Sequence, residues 1–213
     1  MQASKNTILL STAYLPPVSW VEAAMRAGKV LIEAHESFPK QTYRNRCKVI
    51  TANGIIPLSI PVKKISGHKT KTCDIEIFYD EPWQRLHWRT IDAAYSNSPF
   101  FLYYKDEIIP FYEKRYRFLL DFNLELSTSI CRMLGIEVEL ILTKEFLHHA
   151  EGIEDLRNAY SPKINPVPAL FKPYHQVFEE RHGFIPDLSI IDLLFNEGPG
   201  AQDTMNLSPG TLS

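Results

Sequence analysis

The densest chemistry in the chain lies between Lys40 and Lys48, KQTYRNRCK, where four cationic side chains, a tyrosine and an asparagine share nine residues. A guanidinium presents a planar fork of donors that matches a carboxylate or phosphate, and a tyrosine adds a stackable ring with a hydroxyl handle. Tyr43, Arg44, Asn45, Arg46 and Lys48 are therefore candidates for holding a small anionic ligand. If the segment enters a strand, alternation sends Arg44 and Arg46 to one face and Tyr43 and Asn45 to the other, so only one face can line a pocket. The structural alternative is that one arginine pairs with a core carboxylate such as Glu33 and the other is solvated. A second cluster, HWRTIDAAYSNSPFF, offers an imidazole, a cation and a carboxylate in His87, Arg89 and Asp92, with Tyr95 and Asn97 placed to frame a sugar or base. His87 is the candidate general base, because an unperturbed imidazole titrates near about pH 6.5. On a helix His87 and Arg89 do not share a face, while Arg89 and Asp92, three apart, can form a surface pair. The alternative for His87 is a hydrogen-bonded histidine at the margin of the core, and Trp83 and Trp88 read as core anchors.

Other chemistries find less support. His148-His149 and the isolated His35, His68, His175 and His182 form no spaced ligand motif, so no metal site is expected. Cys47 with His87 as its base would be a thiol nucleophile, but nothing local activates it, and a half-buried strand residue is the simpler reading. Neither a G-x-x-x-x-G-K-[ST] loop nor a G-x-G-x-x-G turn is present, so the usual phosphate cradles are missing and no cofactor is identified. Twenty-three basic against twenty-five acidic residues give a net charge of −2, which removes the broad positive field of a nucleic-acid binder and leaves any basic site local. Three cysteines, an odd number with no C-x-x-C pair, support neither a disulfide framework nor a zinc ribbon and fit a reducing, cytoplasmic setting. The first residues read as a strand rather than a secretory signal, and no run approaches the ~20 apolar residues of a membrane-spanning helix, so membrane insertion is not expected. Self-association into a homo-oligomer is allowed.

The elements that must position these residues describe a single α/β domain over residues 1–198 with a flexible tail from 199 to 213. A chain of 213 residues can bury roughly 70% of its unfolded surface without staples. Thr7 to Leu10 reads as a buried strand ended by Pro16-Pro17. Ser19 and Glu22 have capping-box spacing for a helix that Gly28 closes, and Lys29 to Glu33 makes a second strand, an opening β-α-β unit. The runs RCKVITA and IIPLSIPV flank Asn53-Gly54, the dipeptide suited to a tight hairpin turn, and Pro57 and Pro61 mark an edge strand. Ser66 to Thr72 is a polar, lysine-rich segment able to close over an anion, and Asp74 to Phe78 reads as a further strand. Helices follow in the second half. One carries Trp83, Leu86, Thr90, Ile91 and Ala94 on its core face; another runs from Asp106 to about Leu119 with Pro110 in its first turn; a third, from Asp121 to Leu134, is closed by Gly135 before a strand at Glu137 to Leu142. Tyr160 to Pro173 holds four prolines and should be extended. Short helices are expected near Tyr174 to His182 and Asp187 to Phe195.

Taken in order, STAYLPPVSW, KQTYRNRCKV with its hairpin and LSIPV, and W-x-x-x-HW-x-x-I-x-x-AY-x-x-SPFF resemble the WbqC-like protein family from about Thr7 to at least Leu142, and GFIPDLSIIDLLFNEGPG is similar to the tail of some bacterial members. The resemblance implies a bacterial protein of a family named from a gene of O-antigen synthesis, with Tyr14, Tyr43, Arg44, Asn45, Arg46, His87 and Tyr95 at its polar signature positions. The family pattern does not insist on cysteine at Cys47. Two readings follow. In one, a transferase-type enzyme or enzyme partner of surface-polysaccharide assembly handles an activated anionic donor, with Arg44, Arg46, Lys48 and Arg89 as cations, Tyr14, Tyr43 and Tyr95 framing the organic part and His87 as base. In the other, the chain is a non-catalytic binding or scaffold protein of the same pathway.

Overall fold

A computed structural model describes residues 6–63, 70–150, 152–163 and 172–206. The opening unit forms as the apolar runs dictate. Thr7–Ser11 (β1) leads through the two prolines into Val18–Ala27 (α1). Gly28 stops that helix in the left-handed region at φ 70°, its N–H donating to the Ala24 carbonyl at 2.9 Å, and Lys29–Glu33 (β2) then pairs in parallel with β1, Thr7 opposite Lys29 and Ser11 opposite Glu33. Glu139–Leu142 (β5) adds outside β2 and the short Glu154–Asp155 (β6) pairs with the free side of β1. All pairings in this sheet are parallel, so every strand delivers its carboxyl end to the same edge. Leu9 and Leu10 are wholly buried, as strands covered on both faces must be.

The start of α1 departs from expectation. The helix begins at Val18, no capping box forms, and Glu22 bonds Arg26 at 2.5 Å instead. The Ser19 N–H is capped by the Asp187 carboxylate at 2.9 Å, a residue 168 positions away. An ionised acceptor makes the stronger bond to a helix N-terminus, and neighbouring bonds from Val18 N–H to the Leu188 carbonyl and from Ile190 N–H to the Pro16 carbonyl hold it there.

The hairpin comprises Arg46–Thr51 (β3) and Gly54–Ser59 (β4). Its turn sits one residue earlier than Asn53-Gly54. Ala52 and Asn53 make it, Gly54 alone of the three has positive φ (101°), and the Thr51 hydroxyl accepts the Asn53 N–H and donates to the Gly54 carbonyl. Thr51 pairs directly with Gly54, and the register runs one to one from there to Arg46 opposite Ser59. Pro57 lies opposite Lys48 in this two-stranded ribbon, and Pro61 falls beyond the strand.

The strand expected at Asp74 to Phe78 does not form. Residues 72–74 make one 3-10 turn, and the next residues touch two different neighbours through single bridges, Ile77 with Val62 and Glu76 with Phe118. Neither contact is long enough to be a ladder.

Trp83–Tyr95 (α2) forms as expected but is rotated. Leu86 is 52% exposed and Thr90 half-buried, while His87 occupies the core stripe between Trp83 and Ile91, joined by Ala94 and Tyr95. Phe101–Glu113 (α3) starts five residues before Asp106 and carries Pro110 in its last turn rather than its first, so that the Asp106 carbonyl lacks the usual N–H donor four residues on. Leu119–Met133 (α4) ends at Gly135 (φ 68°), with the Ile136 N–H reaching back to the Cys131 carbonyl. Glu179–His182 (α5) is a single turn, shorter than expected, and Ile190–Glu197 (α6) is buried along its length. Part of the stretch expected to be a flexible tail is ordered. Ala201–Asn206 (α7) is helical, with Ala201 and Met205 buried. Residues 66–69 of the lysine-rich segment, 164–171 of the proline-rich segment and 207–213 lie outside the described residues. Among the described residues, no helix is long and apolar enough to cross a membrane.

Candidate functional site

The carboxyl edge of a parallel sheet is where loops diverge and ligands settle, and here it gathers the chain's buried charges. Ser11 ends β1 and Glu33 ends β2. Three residues on, Glu36 takes Arg44 in a bidentate pair, Nε to Oε1 and Nη2 to Oε2, both at 2.7 Å. The same Nη2 donates to the Ser11 hydroxyl at 2.6 Å, and that hydroxyl bonds Glu36 Oε2 at 3.2 Å and the Arg157 carbonyl at 3.1 Å. Arg44 and Glu36 are both buried. Because Nε and Nη2 are engaged, Arg44 keeps one terminal amino group, Nη1, without a partner among the described residues.

A second arginine closes the other side. Arg157, two residues past β6, grips Asp155 with Nε and Nη2, and its Nη1 donates to the Leu147 carbonyl at 2.8 Å and to Glu33 at 3.3 Å. Asp155 is pulled below the usual carboxylate range by Arg157, and Arg157 is raised by the same bond. Glu33 is fully buried yet well supplied, since the Thr143 hydroxyl and the N–H groups of His35 and Leu147 also donate to it. Three carboxylates thus face two guanidiniums, so the cluster carries no surplus positive charge.

Between these arginines lies a narrow cleft lined by Ser11, Thr12, Ala13, Trp20, Tyr43, Arg44, Leu156, Arg157 and Tyr160, with about 10 Å³ of open space. That admits one water. The Trp20 indole N–H is used on the Ser11 carbonyl at 3.1 Å. The Tyr43 phenol is driven far above its usual value by burial first and by Asp187 second, so it stays a neutral donor. Lys48 stands over the Tyr43 ring at 6.0 Å and donates to the Pro162 carbonyl at 3.2 Å, which fastens the segment after β6 across the cleft.

The structure brings only part of the expected set together. Tyr43 and Arg44 line the cleft, with Lys48 beside it. Arg44 pairs with a core carboxylate, Glu36 in place of Glu33. Arg46 donates to the Ser59 hydroxyl at 2.9 Å on the hairpin, and Asn45 ties the Ile60 carbonyl at 2.9 Å. Arg89 is on the solvent face of α2. His87 does not reach the cleft. It is 6% exposed, its Nδ1 meets the Tyr14 hydroxyl at 2.9 Å, and its other ring nitrogen faces the Ser59 carbonyl. Burial pushes it down to about 4, a neutral imidazole that accepts from Tyr14 rather than a base poised near neutrality. Tyr14 also bonds the Tyr112 hydroxyl at 2.9 Å, and its N–H bonds the Tyr43 carbonyl at 2.8 Å, so His87 fixes the loop after β1 from behind. Tyr95 is fully buried beside Asp192, a carboxyl raised to about 6 by burial although the Tyr174 hydroxyl and the Gln176 amide donate to it. Cys47 is fully buried with its thiol raised by desolvation, which leaves it no thiolate. No group of three or more metal-ligating residues occurs among the described residues.

Glu33, Glu36, Arg157, Ser11 and Thr12 were not singled out from the sequence as site residues. The signal was present: polar residues placed directly after two apolar runs, LLST and LIEAHE, at what a parallel sheet makes one edge.

Comparison with known proteins agrees with the motif reading. An uncharacterized protein of Mycobacterium tuberculosis, Rv1507c, is 24% identical over 93% of this chain and 96% of its own length, and no solved structure matches. The WbqC-like protein family pattern spans residues 12–161, which takes in the cleft from Thr12 to Tyr160; the chain belongs to the WbqC-like protein family.

Proposed function

We propose that the chain is a transferase-type enzyme, or the partner of one, in the assembly of bacterial surface polysaccharide such as O-antigen, and that it holds a small activated anionic donor in the cleft at the carboxyl edge of its sheet. A nucleotide sugar or an acyl or aminoacyl derivative fits the reading. The observation that carries it is the spare amino group of Arg44 in a cleft walled by Trp20, Tyr43 and Tyr160. A guanidinium whose other donors are locked is pre-aimed, so it spends no rotamer freedom on its ligand. Thr12 and Tyr43 supply hydroxyls for orientation, the aromatic rings supply stacking surface, and His87 with Tyr14 holds the loop that presents Thr12. The cytoplasm suits such a donor and the three free thiols.

The second reading is a non-catalytic binding or scaffold protein. It is favoured by the self-sufficiency of the cluster, in which three carboxylates already satisfy most of two arginines, and by the small size of the cleft.

Thermal-shift screening separates them. Nucleotide sugars, coenzyme A thioesters and aminoacyl analogues are tested on the wild type, on Tyr43→Phe and Thr12→Val, and on Arg46→Ala, which lies outside the cleft. A ligand at 100 times its Kd stabilises the fold by about 2.7 kcal/mol. A hit weakened in the cleft variants and kept in Arg46→Ala supports the donor reading; no hit in the whole panel favours the scaffold.

A further inference from the structure

Two cavities lie on either side of one side chain. With the Tyr160 ring in its present position the inner cleft has room for about one water. A second pocket of about 300 Å³ opens between α1 and the start of β1 and β6, floored by Ile8, Ala23 and Ala27 and rimmed by Arg26 and Glu154. Leu156 and Tyr160 line both. The backbone around them is pinned: the Leu156 N–H extends the sheet to the Leu9 carbonyl at 2.8 Å, Arg157 is clasped by Asp155, and Lys48 holds the Pro162 carbonyl. The Tyr160 side chain is not pinned. It is half-buried, and among the described residues its hydroxyl has no hydrogen-bond partner.

We propose that these cavities are two compartments of one binding groove parted by the Tyr160 ring, the inner one taking the anionic group at Arg44 and the outer one taking a hydroxylated ring, a sugar, of the same molecule. The proposal rests on the reading of the inner cleft as a ligand site. The outer pocket has the lower end of the volume that small-ligand sites use. Its alanine floor leaves room over an apolar surface, and Arg26 and Glu154 place a donor and an acceptor at the rim, the combination that sugar hydroxyls need. Rotation of Tyr160 breaks no hydrogen bond and would turn its ring from a wall between compartments into a stacking face along the groove.

Trp20 reports on the connection, because its indole N–H bonds the Ser11 carbonyl inside the cleft and the residue is 2% exposed. The chain has three tryptophans, so nitrogen-15 spectra give three indole signals, with Trp83 and Trp88 as internal references. In Tyr160→Ala the exchange of the Trp20 indole proton with water should accelerate at least about tenfold, while Tyr160→Phe, which keeps the ring, should match the wild type. Uridine diphosphate glucose, used as the probe, should shift the Trp20 signal in the wild type. Ala23→Phe, which fills the outer pocket, should weaken that binding about tenfold with Trp20 exchange unchanged. Unchanged Trp20 exchange in a folded Tyr160→Ala overturns the shared groove whether or not the probe binds. Accelerated exchange with no binding of the probe to any variant overturns the anionic-donor reading and its sugar compartment but leaves the connected cavities standing. Undiminished binding in Ala23→Phe overturns the outer compartment alone.

Discussion

Replacing Asp192 by asparagine should stabilise the protein at neutral pH and remove part of its pH dependence. Asp192 is fully buried, and its Oδ2 accepts from the Tyr174 hydroxyl at 2.6 Å and from the Gln176 amide at 2.9 Å, while Oδ1 is without a hydrogen bond. An asparagine keeps the oxygen that these two donors use and sets an amide N–H₂ at the other position, on the side of the Tyr95 hydroxyl, the weakest of the three groups that support the carboxylate. The folded carboxyl titrates at about 6 against 3.8 for a free aspartate, desolvation being the cause. Between these values the folded state binds the proton and the unfolded state does not, so stability falls as pH rises through that window and stays lower above it. A shift of this size corresponds to about 3 kcal/mol. Urea unfolding of wild type and Asp192→Asn from pH 4 to 8 isolates the effect, because other titrating groups cancel in the difference. The variant should gain on the wild type from near equality at low pH to about 3 kcal/mol above pH 7, a midpoint shift of roughly 1–2 M for a slope near 2 kcal/mol/M. A difference that does not vary with pH, or a variant less stable at pH 8, refutes the reasoning.

Arg157→Met should destabilise by about 3–5 kcal/mol by leaving Glu33 without its cation, and chemical denaturation should show Glu33→Gln recovering part of the loss in the double variant. Gly198→Ala should cost at least about 2 kcal/mol, since φ is +51° and a new Cβ would stand 2.5 Å from Phe100 Cγ; a melting temperature within a degree of wild type would contradict this. Of the three thiols, Cys73 alone should react with an aromatic disulfide reagent in the folded protein, as Cys47 and Cys131 are buried and their thiols are raised by desolvation. The His87 ring proton signal should hold its neutral position down to pH 5, because its folded value is about 4.

Local pattern carried the elements well wherever one segment decides its own state. The strands at Thr7 and Lys29 announce themselves as apolar runs, and Gly28 and Gly135 supply backbone angles that few other residues adopt. It failed where a distant partner decides. The core face of α2 turns toward His87 because Tyr14 and Ser59 satisfy the imidazole there, information held in two other elements. Residues 75–78 have strand composition but no neighbour that stays alongside. The site was half legible for the same reason. Arg44 and Tyr43 stand out by type, whereas Arg157 acquires meaning only once β6 lies beside β1 and brings it to Glu33.

The cap that Asp187 places on α1 also sets an order of events for a chain emerging from the ribosome. The first helix is written by residue 27, yet the acceptor for its Ser19 amide arrives 168 residues later, as do the bonds from residues 188–190 to the loop before it. Until that stretch is synthesised, β1 and β2 can collapse on α1 but the front turn of the helix has open amides. Contacts of such separation slow the closing step, and they make residues 187–190 the part whose arrival converts a loose N-terminal half into the finished domain.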